Sequence, residues 1–229
     1  MTEPIPREWL HPASLQEATA VQRLLAGRVV TEDALDPVRR VAGADISCNP
    51  RDPGGMVHAA LVALDLPGLA VTTTAAASGP SDFPYIPGYL AFRETPFLVD
   101  AFRRMETPPD LIFVDGHGIS HPRGLGIASH FGVLIDRPTV GVAKSILIGR
   151  PEGELGPEPG DSVPLVWKGR QVAAVLRTRR NVKPIFVSVG HRISLASAVE
   201  WVMRTARGYR LPEPTRQAHL AANVLRKGG

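Results

Sequence analysis

LIFVDGHGISHPRGLGIASHFGVLIDRPTVGVA, residues 111–143, is the stretch on which the fold turns. Leu111-Ile-Phe-Val114 is a short unbroken apolar run, the pattern of a strand buried on both faces. Gly124 to Asp136 carries apolar residues at helical spacing, and Thr139 to Ala143 returns to a strand pattern. Strand, helix and strand at this spacing make a βαβ unit, whose two strands lie parallel in one sheet. Upstream, Val41-Ala-Gly-Ala-Asp-Ile-Ser-Cys48 reads as a strand. After the turn-prone Asn49 to Gly55, strands are expected over Met56 to Leu66 and Leu69 to Ala75, joined by Pro67-Gly68, which makes an antiparallel meander. Pro80 to Pro87 reads as loop, because three prolines in eight residues leave too few donors for a ladder.

Outward from there, helices are expected over His11 to Ala26, with Gly27 as the stop, and over Thr95 to Met105, Ser194 to Arg207 and Thr215 to Arg226. Short strands fill Val163 to Trp167, Gln171 to Arg177 and Ile185 to Val189. Arg150 to Gly160, with three Gly, three Glu and three Pro, reads as a surface excursion and not a domain boundary. The expected class is therefore α/β: one central mixed sheet, an antiparallel meander leading into parallel strands, flanked by helices in a single domain over 1–229.

The chain has 229 residues, 44% hydrophobic and 21% charged, which suits an ordinary globular core and excludes a disulfide-stapled miniprotein. One cysteine, Cys48, makes no internal bridge and builds no cysteine zinc site; it fits a reducing cytoplasm. No run approaches the roughly 18 apolar residues that span a bilayer, so no membrane association is expected. Glu3, Pro4, Pro6 and Glu8 stand where a signal peptide needs a basic and then apolar start, and the expected location is cytoplasmic. Charge is segregated: residues 1–169 hold 14 Lys and Arg against 20 Asp and Glu, whereas 170–229 hold 12 against 2. Arg supplies 22 of the 26 cations, and its planar fork suits phosphate. That asymmetry fits a nucleic-acid partner or, equally, a solvated basic face. Arg177, Arg179, Arg180 and Lys183 form its densest cluster.

Three carboxylates stand out. Asp45 lies in the first strand, Asp115 follows Leu111–Val114 directly, and Glu94 ends the Tyr-Leu-Ala-Phe-Arg stretch. If the first and fourth strands are neighbours, Asp45 and Asp115 share an edge where hard oxygens favour Mg²⁺ or Mn²⁺; either acid alone reads as well as a turn cap. His117 and His121 have i, i+4 spacing, but Gly118 and Pro122 oppose a helix across them, so a zinc pair is weakly supported. His219 falls on a polar stripe with Thr215 and Asn223, which faces either a site or solvent. Lys144, at the end of a strand, is placed to hold a phosphate oxygen. Gly141 to Ser145 lacks the last glycine of a phosphate-binding loop, Gly124-Leu-Gly126 lacks the third glycine of a dinucleotide fingerprint, and no Gly-x-Ser-x-Gly elbow exists.

Five segments together resemble the endonuclease V family: Val41 to Ser47, Pro84 to Glu94, Asp115 to His130, Pro138 to Lys144 and Pro214 to His219. The Pro84-Tyr-Ile-Pro87 loop followed by Asp115-Gly-His-Gly and His121-Pro-Arg is the specific part. The resemblance implies an RNase H-like fold and Mg²⁺-dependent cleavage, with Mn²⁺ able to substitute, at the second phosphodiester 3′ to deoxyinosine. It makes Asp45 and Asp115 metal ligands, adds Glu94 to the acidic cluster and His219 to its edge, and sets His121 and Lys144 near the scissile phosphate. Tyr85 becomes a strand-separating wedge, within a substrate-binding set of Pro84, Tyr85, Ile86, Pro87, Gly88, Gly116 and Gly118. The bland alternative for Tyr85 or Phe83 is an anchor to the core. The implied partner is inosine-containing DNA met by a monomer, with inosine RNA as the rival substrate and a non-catalytic nucleic-acid binding module as the rival class. Three acids facing phosphates argue against the last.

Overall fold

The structure, a computed structural model, describes residues 4–49 and 55–228. Among these residues nine strands form one mixed sheet: β1 (Arg40–Cys48), β2 (Met56–Asp65), β3 (Ala70–Pro80), β4 (Leu111–Val114), β5 (Thr139–Ala143), β6 (Arg150–Pro151), β7 (Ser162–Trp167), β8 (Arg170–Leu176) and β9 (Ile185–His191). Their spatial order is β3-β2-β1-β4-β5-β9-β8-β7-β6. β1, β4 and β5 run parallel at the centre, and every other pairing is antiparallel. The expected meander and βαβ unit are both present, and the first and fourth strands are neighbours.

The helices among the described residues are α1 (Arg7–Leu10), α2 (Leu15–Ala26), α3 (Leu90–Arg103), α4 (Ile127–Ile135), α5 (Leu195–Thr205) and α6 (Glu213–Gly228). The pleat puts the two larger parts of the core on opposite faces, with a smaller cluster of Ala143, Leu165, Ala173, Val175 and Phe186 at the β7–β9 end. On one face Ala42, Ala44 and Leu61 pack under α2, α3 and α4; on the other Val41, Val62, Phe113 and Val187 pack under α5 and α6. Burying the apolar stripe of each helix supplies most of the cohesion, at about 25 cal/mol per Å² of apolar surface.

Several boundaries differ from the sequence expectation, each for a physical reason. β3 continues past Ala75 to Pro80, because its weak β-formers Ala76 and Ala77 are held by pairing with Ala60 and Ala59 of β2. Pro80 is therefore the last strand residue, at an edge where a missing donor costs nothing. α3 begins at Leu90, five residues ahead of Thr95, and carries Pro96 inside it; burial of Phe92, Pro96, Leu98 and Val99 outweighs one lost backbone bond. Glu94 consequently sits within a helix and not at an element end. α2 starts at Leu15, where Ser14 caps it by accepting from the Glu17 N–H at 3.1 Å. The two-residue β6 lies in the stretch read as excursion, paired with Val166 and Leu165. The turn expected over Asn49 to Gly55 lies largely outside the described residues.

Candidate active site

Strand register brings the two acids together. Ala44 pairs with Val114 across the parallel β1–β4 ladder, and the Asp115 N–H donates to the Ala44 carbonyl at 2.9 Å, so Asp45 and Asp115 occupy corresponding places just past the last paired residues. Alternation does the rest: Asp45 continues the face of Val41 and Gly43, and Asp115 that of Leu111 and Phe113, which is the face under α6. Gly43 is what lets α6 come close. A Cβ there would stand 1.9 Å from the Pro214 carbonyl oxygen, so only glycine admits the helix start at this height.

One turn along α6, the His219 ring meets Asp45 Oδ2 through Nδ1 at 2.7 Å. Asn223, a further turn on, donates from Nδ2 to His219 Nε2 at 3.0 Å. Ser47 Oγ donates to Asn223 Oδ1 at 3.0 Å and accepts from Arg226 Nε at 2.8 Å. The stripe read from Thr215, His219 and Asn223 thus faces the site: Thr215 is buried against β1, and the other two build a chain of hydrogen bonds ending on the Asp45 carboxylate. Directions agree along its length if His219 carries its proton on Nδ1.

Asp115 forms an ion pair with Lys144, which follows β5. Glu94 projects from α3 into the same region. Burial pushes the Asp45 carboxyl up to about 6, with the Asp115 charge adding to it and the His219 hydrogen bond and Lys144 opposing. Burial likewise pushes Glu94 up to about 7, reinforced by Asp45. Three acids crowd one place with a single lysine among them, an arrangement that a divalent cation relieves. One ligand atom each from Asp45, Asp115 and His219 lie within 4.8 Å of one another, a set of two hard oxygens and one imidazole that fits Mg²⁺ or Mn²⁺.

Beside the acids a cavity of about 400 Å³ opens, the size of a small-ligand site. Ala91, Leu125, Ile127 and Leu147 give it apolar walls, and Gly88, Gly116 and His121 expose backbone or ring edges to it. Tyr85 stands at its mouth, 71% exposed. Phe83, two residues earlier, packs into the core with its ring 5.5 Å from Phe92. The loop is therefore anchored by Phe83, and the tyrosine is free.

Gly88 is held with unusual care. Its carbonyl accepts from Gln22 Nε2 at 2.9 Å, His121 Nε2 at 3.1 Å and Arg123 Nη2 at 2.6 Å. The Arg123 guanidinium also bonds Gln22 Oε1 and lies over the Tyr89 ring at 4.2 Å. His121 Nδ1 accepts from the Arg123 N–H at 3.3 Å, so both ring nitrogens are engaged within the protein. Burial, with the Arg123 charge behind it, lowers His121 to about 4 and keeps it neutral.

A family model described as Endonuclease V matches residues 23–220. The chain belongs to the endonuclease V family. Rhodospirillum centenum endonuclease V is 54% identical over 223 residues, covering 97% of this chain and 93% of that one. The crystal structure of endonuclease V from Streptomyces avermitilis superposes with a TM-score of 0.90 at 42% identity, covering 100% and 99% of the two chains. Ciona intestinalis endonuclease V in complex with a 24mer DNA containing an inosine followed by a ribo-adenosine gives 0.81 at 27% identity, over 93% and 98%. The mixed sheet with helices on both faces is the RNase H-like fold of the endonuclease V structures, and the chain is a nuclease of that family.

In this member of the endonuclease V family, Gly118, Arg177 and Arg180 contact residues away from the cavity. Gly118 does not line the cavity: its N–H donates to Ser188 Oγ at 2.8 Å, and a Cβ on it would stand 1.9 Å from the Val189 carbonyl oxygen. It lets the loop after β4 lie flat on β9. Arg177 is a structural tie, with its guanidinium bonded to the Gly156 and Val182 carbonyls, and Arg180 pairs with Glu158 at 3.1 Å. Arg179, Arg180 and Lys183 of that cluster are exposed. Sequence reasoning missed Gln22, Arg123 and Leu147. The last left a trace, since Ser145-Ile-Leu-Ile148 puts large apolar residues in a loop directly after Lys144.

Proposed function

We propose that this chain, acting as one nuclease domain, is a divalent-metal-dependent DNA repair endonuclease that cuts beside deoxyinosine, at the second phosphodiester on its 3′ side. The observation that carries the reading is the juxtaposition of the Asp45–Asp115 pair with a base-sized cavity whose mouth bears an exposed Tyr85 on a core-anchored loop. Asp45 and Asp115, with His219 at the edge, would hold Mg²⁺, which when bound activates water and neutralises the charge of the phosphodiester transition state.

The protein's own groups divide the remaining work. Tyr85 enters the stack and takes the place of the extruded base, a step that costs a few kcal/mol and that stacking at about 1–3 kcal/mol offsets. Pro84 and Pro87 limit what the loop loses in entropy, and Ile86 flanks the ring. The apolar walls exclude water from the seated base, while backbone groups at Gly88 and Gly116 approach its edge. Hypoxanthine offers an O6 acceptor and an N1–H donor where adenine offers the reverse, so fixed donors and acceptors reject adenine by leaving themselves unpaired. Lys144, freed from Asp115, holds a phosphate oxygen. His121 fixes Gly88 and thereby the wedge loop. A base in the cavity leaves the acid pair facing backbone further along the strand, which supports cutting away from the lesion itself.

The test is cleavage of matched strands carrying inosine or adenine, as DNA and as RNA, with and without Mg²⁺. Metal-dependent cutting of inosine DNA at a displaced bond is the expected result. Binding without cutting at any metal concentration would make the chain a binding module, and a preference for RNA would reassign the substrate.

A further inference from the structure

A second concavity adjoins the first. About 530 Å³ in volume, it lies between the end of α2, the loop over residues 119–124 and the tip of the β7–β8 hairpin, and His121 lines both cavities. Its rim carries Thr31, Trp167, Lys168, Arg170 and Gln171. Among the described residues that line it there is no carboxylate, in a chain with 22 acids. Trp167 and Arg170 pair across a two-residue turn, with Lys168 and Gly169 both at positive φ, 50° and 74°. That is the tight hairpin turn whose twist matches the strands, so the tip is stiff. Trp167 is 37% exposed, with Lys168 Nζ 5.5 Å from its ring centre. An exposed aromatic, two cations and an amide on a rigid ribbon, beside a channel without acids, are what a nucleic-acid strand needs: rings to stack on and charges for its backbone.

We infer that this groove is a second strand-binding subsite, in which the nucleic acid that presents a base to the first cavity continues past His121 and packs a flanking nucleotide against Trp167, its phosphates paired with Lys168 and Arg170. The inference rests on the function proposed above and adds an anchoring site outside the region of the acids. It places positive charge on one defined hairpin, instead of spreading contact over the whole basic segment from Arg170 onward.

The experiment omits divalent metal so that nothing is cut. Single strands bearing one inosine, with flanks lengthened in turn on the 5′ and the 3′ side, are titrated by anisotropy at several salt concentrations. The double variant Lys168→Asn, Arg170→Gln removes both charges while Asn still tolerates positive φ. On the strand with the flank that reaches the groove, the variant binds about tenfold more weakly at low salt. Its salt slope on that strand falls by about 1.4, two single-strand contacts at roughly 0.7 each. On the shortest strand it matches the unsubstituted protein. Strands long enough to reach the groove also quench a component of tryptophan fluorescence that Trp167→Phe abolishes. Equal affinity and slope for variant and unsubstituted protein at every length, or an equal loss at every length, overturns the inference. If the unsubstituted protein shows no preference for inosine over adenine, the base-cavity reading fails instead, and the length-dependent Trp167 signal still decides the groove.

Discussion

Asp115 has Lys144 against one oxygen and Asp45 across the gap, so replacing it by the isosteric Asn removes charge from the proposed metal position while keeping the shape of the cavity wall it borders. Asp115→Asn should lose at least about a hundredfold in cleavage, more than the 10–100-fold carried by outer partners, while binding an inosine strand as before. Near-normal turnover in a quench-flow assay would remove Asp115 from the site. Asn223 is such an outer partner, because it touches His219 and not the acids. Asn223→Ala should weaken Mn²⁺ binding, read by calorimetry without nucleic acid, by about 10–100-fold with melting almost unchanged. These positions were legible in the sequence: odd-numbered Asp45 and Asp115 extend apolar runs, and Thr215, His219 and Asn223 recur every four residues. The clamp of Gln22 and Arg123 on Gly88 was not legible, since its members lie 66 and 35 positions from that carbonyl and only tertiary folding joins them.

At the scale of elements, the wedge loop and α6 carry separable expectations. Tyr85→Ala should weaken inosine binding and cleavage with the melting temperature within about a degree, because the side chain is 71% exposed. Phe83→Ala should cost about 2 kcal/mol in a urea melt, below the 3–5 of a fully buried phenylalanine, because its ring contacts Phe92 from a half-buried position. Equal destabilisation by both would make Tyr85 an anchor. Gly43→Ala drives a methyl into the Pro214 carbonyl, so α6 must lift; a loss of about 1–3 kcal/mol together with weaker metal binding is expected. The parallel centre of the sheet was readable because buried strands there are unbroken apolar runs. α3 was expected to start at Thr95, whereas buried Phe92 and Leu98 on either side of Pro96 carry the helix through the proline from Leu90.

For the molecule as a whole, opposed ionisations set how stability follows pH. Burial lowers His121 and His130 to about 4, so they contribute stability present above their ordinary value near 6.5 and lost as pH falls toward 4. Asp45 and Glu94, raised to about 6 and 7, do the reverse: their contribution is present below the ordinary carboxylate range and fades as pH climbs through 6 and 7. Mg²⁺ needs the ionised acids, so the melting-temperature rise on adding it should be larger at pH 8 than at pH 5.5, by scanning calorimetry. A larger rise at the lower pH would show that the cation sits elsewhere. Charge segregation along the sequence was only half informative, because Arg177 is spent on carbonyls, whereas the exposed cations of the β7–β8 tip straddle the point where the composition changes. The pairing of Asp45 with His219 spans 174 positions. A ribosome adding about 5–20 residues per second takes roughly 10–35 s to make the second after the first, and in that interval the sheet can assemble without its full ligand set. The Asp45–Asp115–His219 cluster is therefore complete only after α6, the last described element to be made, has docked on the sheet.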